Sequence, residues 1–209
     1  MAYGMMLRDS SGRIFATPDT PCMHFAKKMS FSHTGVAKIH DTGISASLRV
    51  VCYTRLNSMV PLHTTQYVSG STWVIRTRAS GNVAGTFYIF TNDIPKSAGG
   101  WGMEMYDKTG RRVYSTSARP LQNKFVALNK DSKRKVDVSH ATATIAVPQQ
   151  YWWRSFSPAY ILNLEAPCAY GNVIELGNMG AGLTATFPHN TPYLPNGNTV
   201  NYINASLYD

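Results

Sequence analysis

Charge is scarce in this sequence, and negative charge is scarcer still. Charged residues make up 15% of the 209, against about a quarter in an ordinary globular chain. Only eleven are acidic and none cluster as Asp-x-Asp, so calcium loops and paired-carboxylate glycosidase chemistry have little material. Sparse Glu and Lys also exclude a fold of long amphipathic helices, whose exposed faces need them. The three cysteines, Cys22, Cys52 and Cys168, have no CxxC or other metal spacing. An odd count, beside a start (Met1-Ala2-Tyr3-Gly4) without the features of an export signal, is expected of buried thiols in a reducing cytoplasm. No stretch reaches the roughly 18 to 20 apolar residues of a membrane span.

Catalytic constellations are missing too. The histidines are His24, His33, His40, His63, His140 and His189, and none falls in an HExxH pattern of the kind that holds catalytic zinc. His40-Asp41 invites a triad, but no Gly-x-Ser-x-Gly elbow supplies a serine. Gly99-Gly100-Trp101-Gly102 lacks the Gly-Lys-Ser/Thr that completes a phosphate loop. The expectation is a protein that is not an enzyme and that uses no cofactor or metal.

What fills the space is Ser, Thr, Asn and Gly, together with 11% aromatics and 44% hydrophobic residues. That mixture suits strands joined by turns and is too rich in aromatics for a disordered chain. The net charge is +9, but the positives are scattered and no nucleic-acid motif accompanies them, which argues against a nucleic-acid partner. The one tight run is Lys130, Lys133, Arg134 and Lys135, interrupted by Asp131. It reads as a solvated loop, or as a candidate basic contact for an acidic neighbour.

Period-two alternation dominates the pattern. Ile44, Ala46, Leu48, Val50 and Cys52 alternate with polar neighbours and predict one strand over 44–53. Residues 71–79 repeat the pattern, with Arg76 and Arg78 on one face and Trp73 and Ile75 on the other. Gly81-Asn82 turns the chain into the β-rich run 83–91. Further strands are expected at 135–147, 159–165, 172–176, 183–187 and 199–207, with a hairpin signal at Asn196-Gly197.

The chain also echoes itself. Residues 3–17 read YGMMLRDSSGRIFAT, and residues 101–116 read WGMEMYDKTGRRVYST. Allowing one extra residue at Arg111-Arg112, the residues Gly, Met, Asp, Gly, Arg and Thr recur in step. Chance would give roughly one such identity. Each copy predicts a β-hairpin: Asp bonds the turn's backbone from its first position, and Gly supplies a positive φ at its last. The extra arginine is expected to be taken up as a β-bulge in the second copy. Prolines follow each copy (Pro18 and Pro21, then Pro120) and should end the pairing.

The pattern aromatic-Gly-apolar-x-apolar-x-Asp-x-x-Gly-x-apolar-aromatic resembles small virion proteins of tailed bacteriophages, often encoded with tail-tip or tail-fibre components. The second copy matches best in its context, FYIFTNDIPKSAGGWGMEMYDKTGRRVYSTSARPL, although Tyr114-Ser115-Thr116 stands where the family usually has Phe-Asp-Ser. The resemblance covers about a quarter of the chain. It implies a structural place in the tail and no catalytic residues.

Tyr151-Trp152-Trp153-Arg154 is the densest aromatic cluster. Three readings stay open for it: core packing on the two faces of a strand, a protein-interface anchor, or a sugar-stacking platform. Tyr3 and Trp101, which open the hairpins, are candidate interface residues with it. The expected architecture is all-β, in one or two antiparallel sandwich-like lobes. One would span 1–95 and open with the hairpin 3–17; the other would span 96–209 and open with the hairpin 101–116. The two are free to pack as one domain. The expected function is a tail or tail-tip component, made in the host bacterial cytoplasm and built into the virion by protein–protein contacts, as a symmetric homo-oligomer. The alternatives are a receptor- or glycan-binding tail-tip module and a capsid decoration or head-completion protein.

Overall fold

The computed structural model describes residues 7–8, 12, 14–17, 22–34, 37–79, 81–94, 102–128, 134–145, 150–156, 159–185 and 199–209. For residue 7 and for 14–16, 150–156, 159–164 and 179–185 the description is of the backbone alone. The protein is all-β. In chain order the strands begin with β1 (Leu7–Arg8), β2 (Ile14–Ala16), β3 (His24–His33), β4 (Ala37–Ser45), β5 (Val50–Leu56) and β6 (Leu62–Ser69). Next come β7 (Thr72–Ala79), β8 (Val83–Thr91), β9 (Glu104–Tyr106), β10 (Arg112–Ser115), β11 (Asn123–Ala127) and β12 (Lys135–Asp137). The last are β13 (Thr142–Thr144), β14 (Gln150–Phe156), β15 (Ala159–Tyr170), β16 (Val173–Ala185) and β17 (Thr199–Asn204), followed by a 3-10 turn at Ala205–Leu207.

Both hairpins form. β1 pairs antiparallel with β2, and β9 with β10, each as a two-stranded sheet of its own. In the second, Asp107 Oδ1 accepts from the backbone N–H of Thr109 and of Arg111, and Gly110 sits at φ +79°. Gly12 takes the same role at φ +80°. The bulge is not peculiar to the second copy. Pairing skips Phe15 in the first hairpin and Val113 in the second. With five residues between Arg8 and Ile14, and five between Tyr106 and Arg112, the loops match in length. The extra arginine therefore slides the returning sequence by one residue and does not create the irregularity.

Other expectations need correction. The alternating run 44–53 is not one strand: it ends β4, turns at Ala46 to Leu48, and enters β5. Ser45 Oγ accepts from the Ser47 N–H, and Leu48 N–H donates to the Ser45 carbonyl. Serine's competition for its own backbone closes a turn that hydropathy alone hides. Residues 135–147 likewise break into β12 and β13 around Ser139, at φ +64°. The strand begun at Ala159 runs on to Tyr170, and the runs at 172–176 and 183–187 join into β16, which reaches Ala185. The Asn196-Gly197 signal lies outside the described residues.

β4, β7 and β6 make a three-stranded sheet with β7 in the middle. Its inner face presents Leu62, Thr64, Ile75, Thr77 and Ala79, all buried. The facing layer is β3, β8 and β5, which contribute Phe31, Phe87, Ile89, Cys52 and Leu56, with Cys168 of β15 joining the same core. Phe31 stacks on Phe87 at 4.1 Å. Gly85 is required beside them, because a Cβ there would collide with the Arg55 carbonyl oxygen and press on the Phe31 ring.

β3, β8 and β5 belong to a ten-stranded sheet that runs β11-β17-β13-β5-β15-β16-β12 along its main path. It curls almost closed, like a barrel. The other face of β5 and β8 (Tyr53, Tyr88, Phe90) packs on Ala143, Ile203, Ala205 and Tyr208. Buried on both faces, these strands need the nearly unbroken apolar run FYIF. β17 also turns Val200 and Tyr202 toward a third cluster with Leu128, Ala169, Ile174 and Leu176. Strands from either side of residues 95–101 thus share one sheet and two of its cores. The three cysteines are buried free thiols.

Candidate functional site

The outer face of the small sheet is built by alternation on β7. Inward Ile75, Thr77 and Ala79 force Arg76 and Arg78 outward, on the face that also carries Val74, which is itself buried. Register then sets their neighbours. Arg78 lies between Ala37 and His63, Arg76 between Ile39 and Thr65, and Val74 between Asp41 and Tyr67. Arg76, Arg78, His63 and Thr65 line a cleft of about 140 Å³. Ile39 and Tyr67 beside it are 58% and 37% exposed.

The electrostatics of this cleft are one-sided. Among the described residues neither arginine has a carboxylate partner or a hydrogen bond. Burial, then Arg78 and Arg76, hold the His63 imidazole below its ordinary range, so it is neutral near pH 7. Asp41 marks the far row of the face. Its carboxyl is held low first by the Gly43 N–H, which donates at 2.8 Å, and next by the Thr72 side chain. A fixed negative charge therefore bounds the cationic patch at one end.

Around Asp209 the charges are already paired. Arg55 and Lys28 both reach Asp209, at 3.6 and 3.3 Å, and Tyr88 donates to the same carboxylate at 2.8 Å. The larger cleft beside Arg55, lined also by Asn57, Thr86 and Gly171, is thus electrically quiet. His40 and Asp41, adjacent in sequence, point to opposite faces. His40 turns inward against Phe31, Phe87 and the Thr77 hydroxyl, which also meets His33 at 2.9 Å, while Asp41 closes the Gly43 turn. No acid–base pair forms there.

Of the residues singled out from the sequence, Arg134 and Lys135 turn back onto the protein. Arg134 bonds Glu165 at 2.9 Å and the Leu176 carbonyl at 3.2 Å. Lys135 lies 3.9 Å from Glu175 and over the Tyr170 ring. Tyr151, Trp152, Trp153 and Arg154 sit on β14, which pairs with β15 from Gln150↔Glu165 to Phe156↔Ala159; their side chains lie outside the description. Tyr3, Trp101, Lys130 and Lys133 lie outside the described residues. Arg76 and Arg78 were legible as one face of a strand. His63 and Thr65 were not, because nothing in LHTTQYVS announces β6 as strongly as TWVIRTRA announces β7.

Among the described residues no group of three His, Cys, Asp or Glu side chains is placed to hold a metal ion. No described helix is long and apolar enough to cross a membrane. Set against known protein families, curated proteins and solved structures, the chain matches none of them.

Proposed function

We propose that this protein is a structural part of a tailed-bacteriophage virion, in the tail or tail tip, working by protein–protein assembly and not by catalysis. It is made in the host bacterial cytoplasm and incorporated as symmetric copies. The observation that carries this reading is the second hairpin. Among the described residues β9 and β10 pair only with each other, and the ribbon holds Met103 and Tyr106 at 38% and 48% exposure. A two-stranded ribbon is marginal by itself in water, and apolar side chains on such a ribbon gain most by burial against a neighbour. The outer edge of β11, which no described strand pairs, with Phe125 59% exposed, offers a second seat for a neighbouring subunit. The repeated Tyr/Trp-Gly hairpin supports the tail assignment.

Cryo-electron microscopy of the intact particle tests this directly. The expected result is density at the tail with the 102–116 hairpin buried against another virion protein. Density on the capsid, or none in the particle, overturns the tail assignment.

A further inference from the structure

We propose that the cleft formed by Arg76, Arg78, His63 and Thr65 binds a single phosphate or sulfate group, free or carried on a small ligand such as a sugar phosphate. The inference rests on the cleft alone and does not require the virion assignment.

Two arginines two residues apart on one face of a strand stand roughly 7 Å from each other. Side by side and with no carboxylate partner among the described residues, they repel one another, and the folded sheet holds them in that arrangement at a cost that a bound anion removes. Each guanidinium is a planar fork suited to two oxygens of an oxyanion. Cross-strand pairing puts a hydroxyl, Thr65, beside one fork and an imidazole, His63, beside the other. The donor set therefore comes from two strands and converges on one cleft of about 140 Å³. That volume admits one tetrahedral anion with room beside it for water or for part of a carried ligand. A carboxylate has only two oxygens and leaves part of this donor set unused.

An extended polyanion fits less well. Nucleic acid is held by many cations spaced along its backbone, whereas here the positive patch is two rows deep and ends at the ionised Asp41. Exposed Ile39 and Tyr67 flank the cations with apolar surface, which favours the body of a small ligand over a second phosphate.

The test is a calorimetric and NMR titration of the full chain at low ionic strength with four probes. These are sodium phosphate, sodium sulfate, glucose 6-phosphate and a short DNA duplex. Expected is saturable binding of phosphate and sulfate with shifts of the His63 ring protons. Glucose 6-phosphate that binds more tightly than phosphate identifies the carried group as the ligand; equal affinity identifies the free anion. The paired change Arg76→Gln with Arg78→Gln should weaken binding by about tenfold or more, as expected for lost charge-assisted bonds, while leaving the melting temperature near that of the parent. Arg111→Gln removes a positive charge on the distant hairpin and should leave affinity unchanged. Three results overturn the proposal: no saturable binding, equal weakening by Arg111→Gln, or retention by the double variant. A duplex that binds through Arg76 and Arg78 while the small anions do not also overturns it, in favour of a polyanion surface.

Discussion

His24 is wholly buried, and neither of its ring nitrogens has a hydrogen-bond partner among the described residues. It sits on β3 opposite Thr91, bridges to Pro120, and has the Tyr114 ring 6.5 Å away. An unsatisfied buried polar group costs about 1–3 kcal/mol, and protonating it costs more. Burial accordingly lowers its pKa from 6.5 to about 4. The unfolded chain takes up this proton near 6.5 and the folded chain only near 4. Between those values the unfolded state holds more protons, so stability falls as pH drops through that window and is level above it. The full loss is on the order of 3 kcal/mol. His40 and His63 are lowered as well and add slope of the same sign, so the His24 share must be read by difference. His24→Phe should unfold with a shallower dependence on pH between 6.5 and 4 in urea titrations. Identical slopes for parent and variant would sink the assignment.

At the scale of elements, the hairpin turn of β9 and β10 depends on two residues. Asp107 accepts from the Thr109 hydroxyl at 2.6 Å, gathers the Thr109 and Arg111 amides, and pairs with the Arg111 side chain at 3.1 Å; these bonds, the Thr109 hydroxyl first, lower its carboxyl to about 2. Gly110 is left-handed, where a side chain costs roughly 1–2 kcal/mol. Gly110→Ala should speed amide exchange at 104–115 markedly. It should lower the global melting temperature less than a core truncation does, since among the described residues the ribbon pairs with no other strand, although Met105 and Val113 are buried. A melting temperature that falls as far as for a core truncation would mean the hairpin is integral to the fold.

Asp and Gly at fixed spacing made this turn readable from the sequence, and β7 and β8 were readable from alternation and the GN turn before Val83. What stayed hidden was set by partners distant in sequence. β3 (HFAKKMSFSH) carries Lys27 and Lys28 in its middle, and only pairing with β8 makes it a strand. Pro167 lies inside β15, two residues beyond the expected strand 159–165. Among the described residues β14 pairs as far as Glu165 and β5 touches at Tyr170, so no described strand faces Pro167 on that side. The candidate site was half legible for the same reason: Arg76 and Arg78 follow from β7 alone, while His63 and Thr65 depend on a cross-strand register that the sequence does not display.

For the whole molecule, the question is whether the two halves of the chain unfold apart. The cores bear on it. Cys168, from the second half, is 1% exposed among Phe31, Leu62, Ile75 and Phe87 of the first. Tyr53, Tyr88 and Phe90 are capped by Ala143, Ile203 and Tyr208. Phe90 meets Tyr208 edge-on at 4.9 Å, and Tyr53 donates to Asn201 at 3.1 Å. Removing the later strands would uncover Tyr53, Tyr88 and Phe90 together, at about 1.5–3 kcal/mol for each large side chain. A domain holds only about 5–15 kcal/mol in total. Residues 1–94 alone therefore lack the margin to stay folded. Calorimetry of the full chain should give one transition whose van't Hoff and calorimetric enthalpies agree, and the fragment 1–94 should show no cooperative melt. Two resolved transitions, or a fragment that melts sharply, would instead mean that the strands after residue 101 add to a core that is already complete without them.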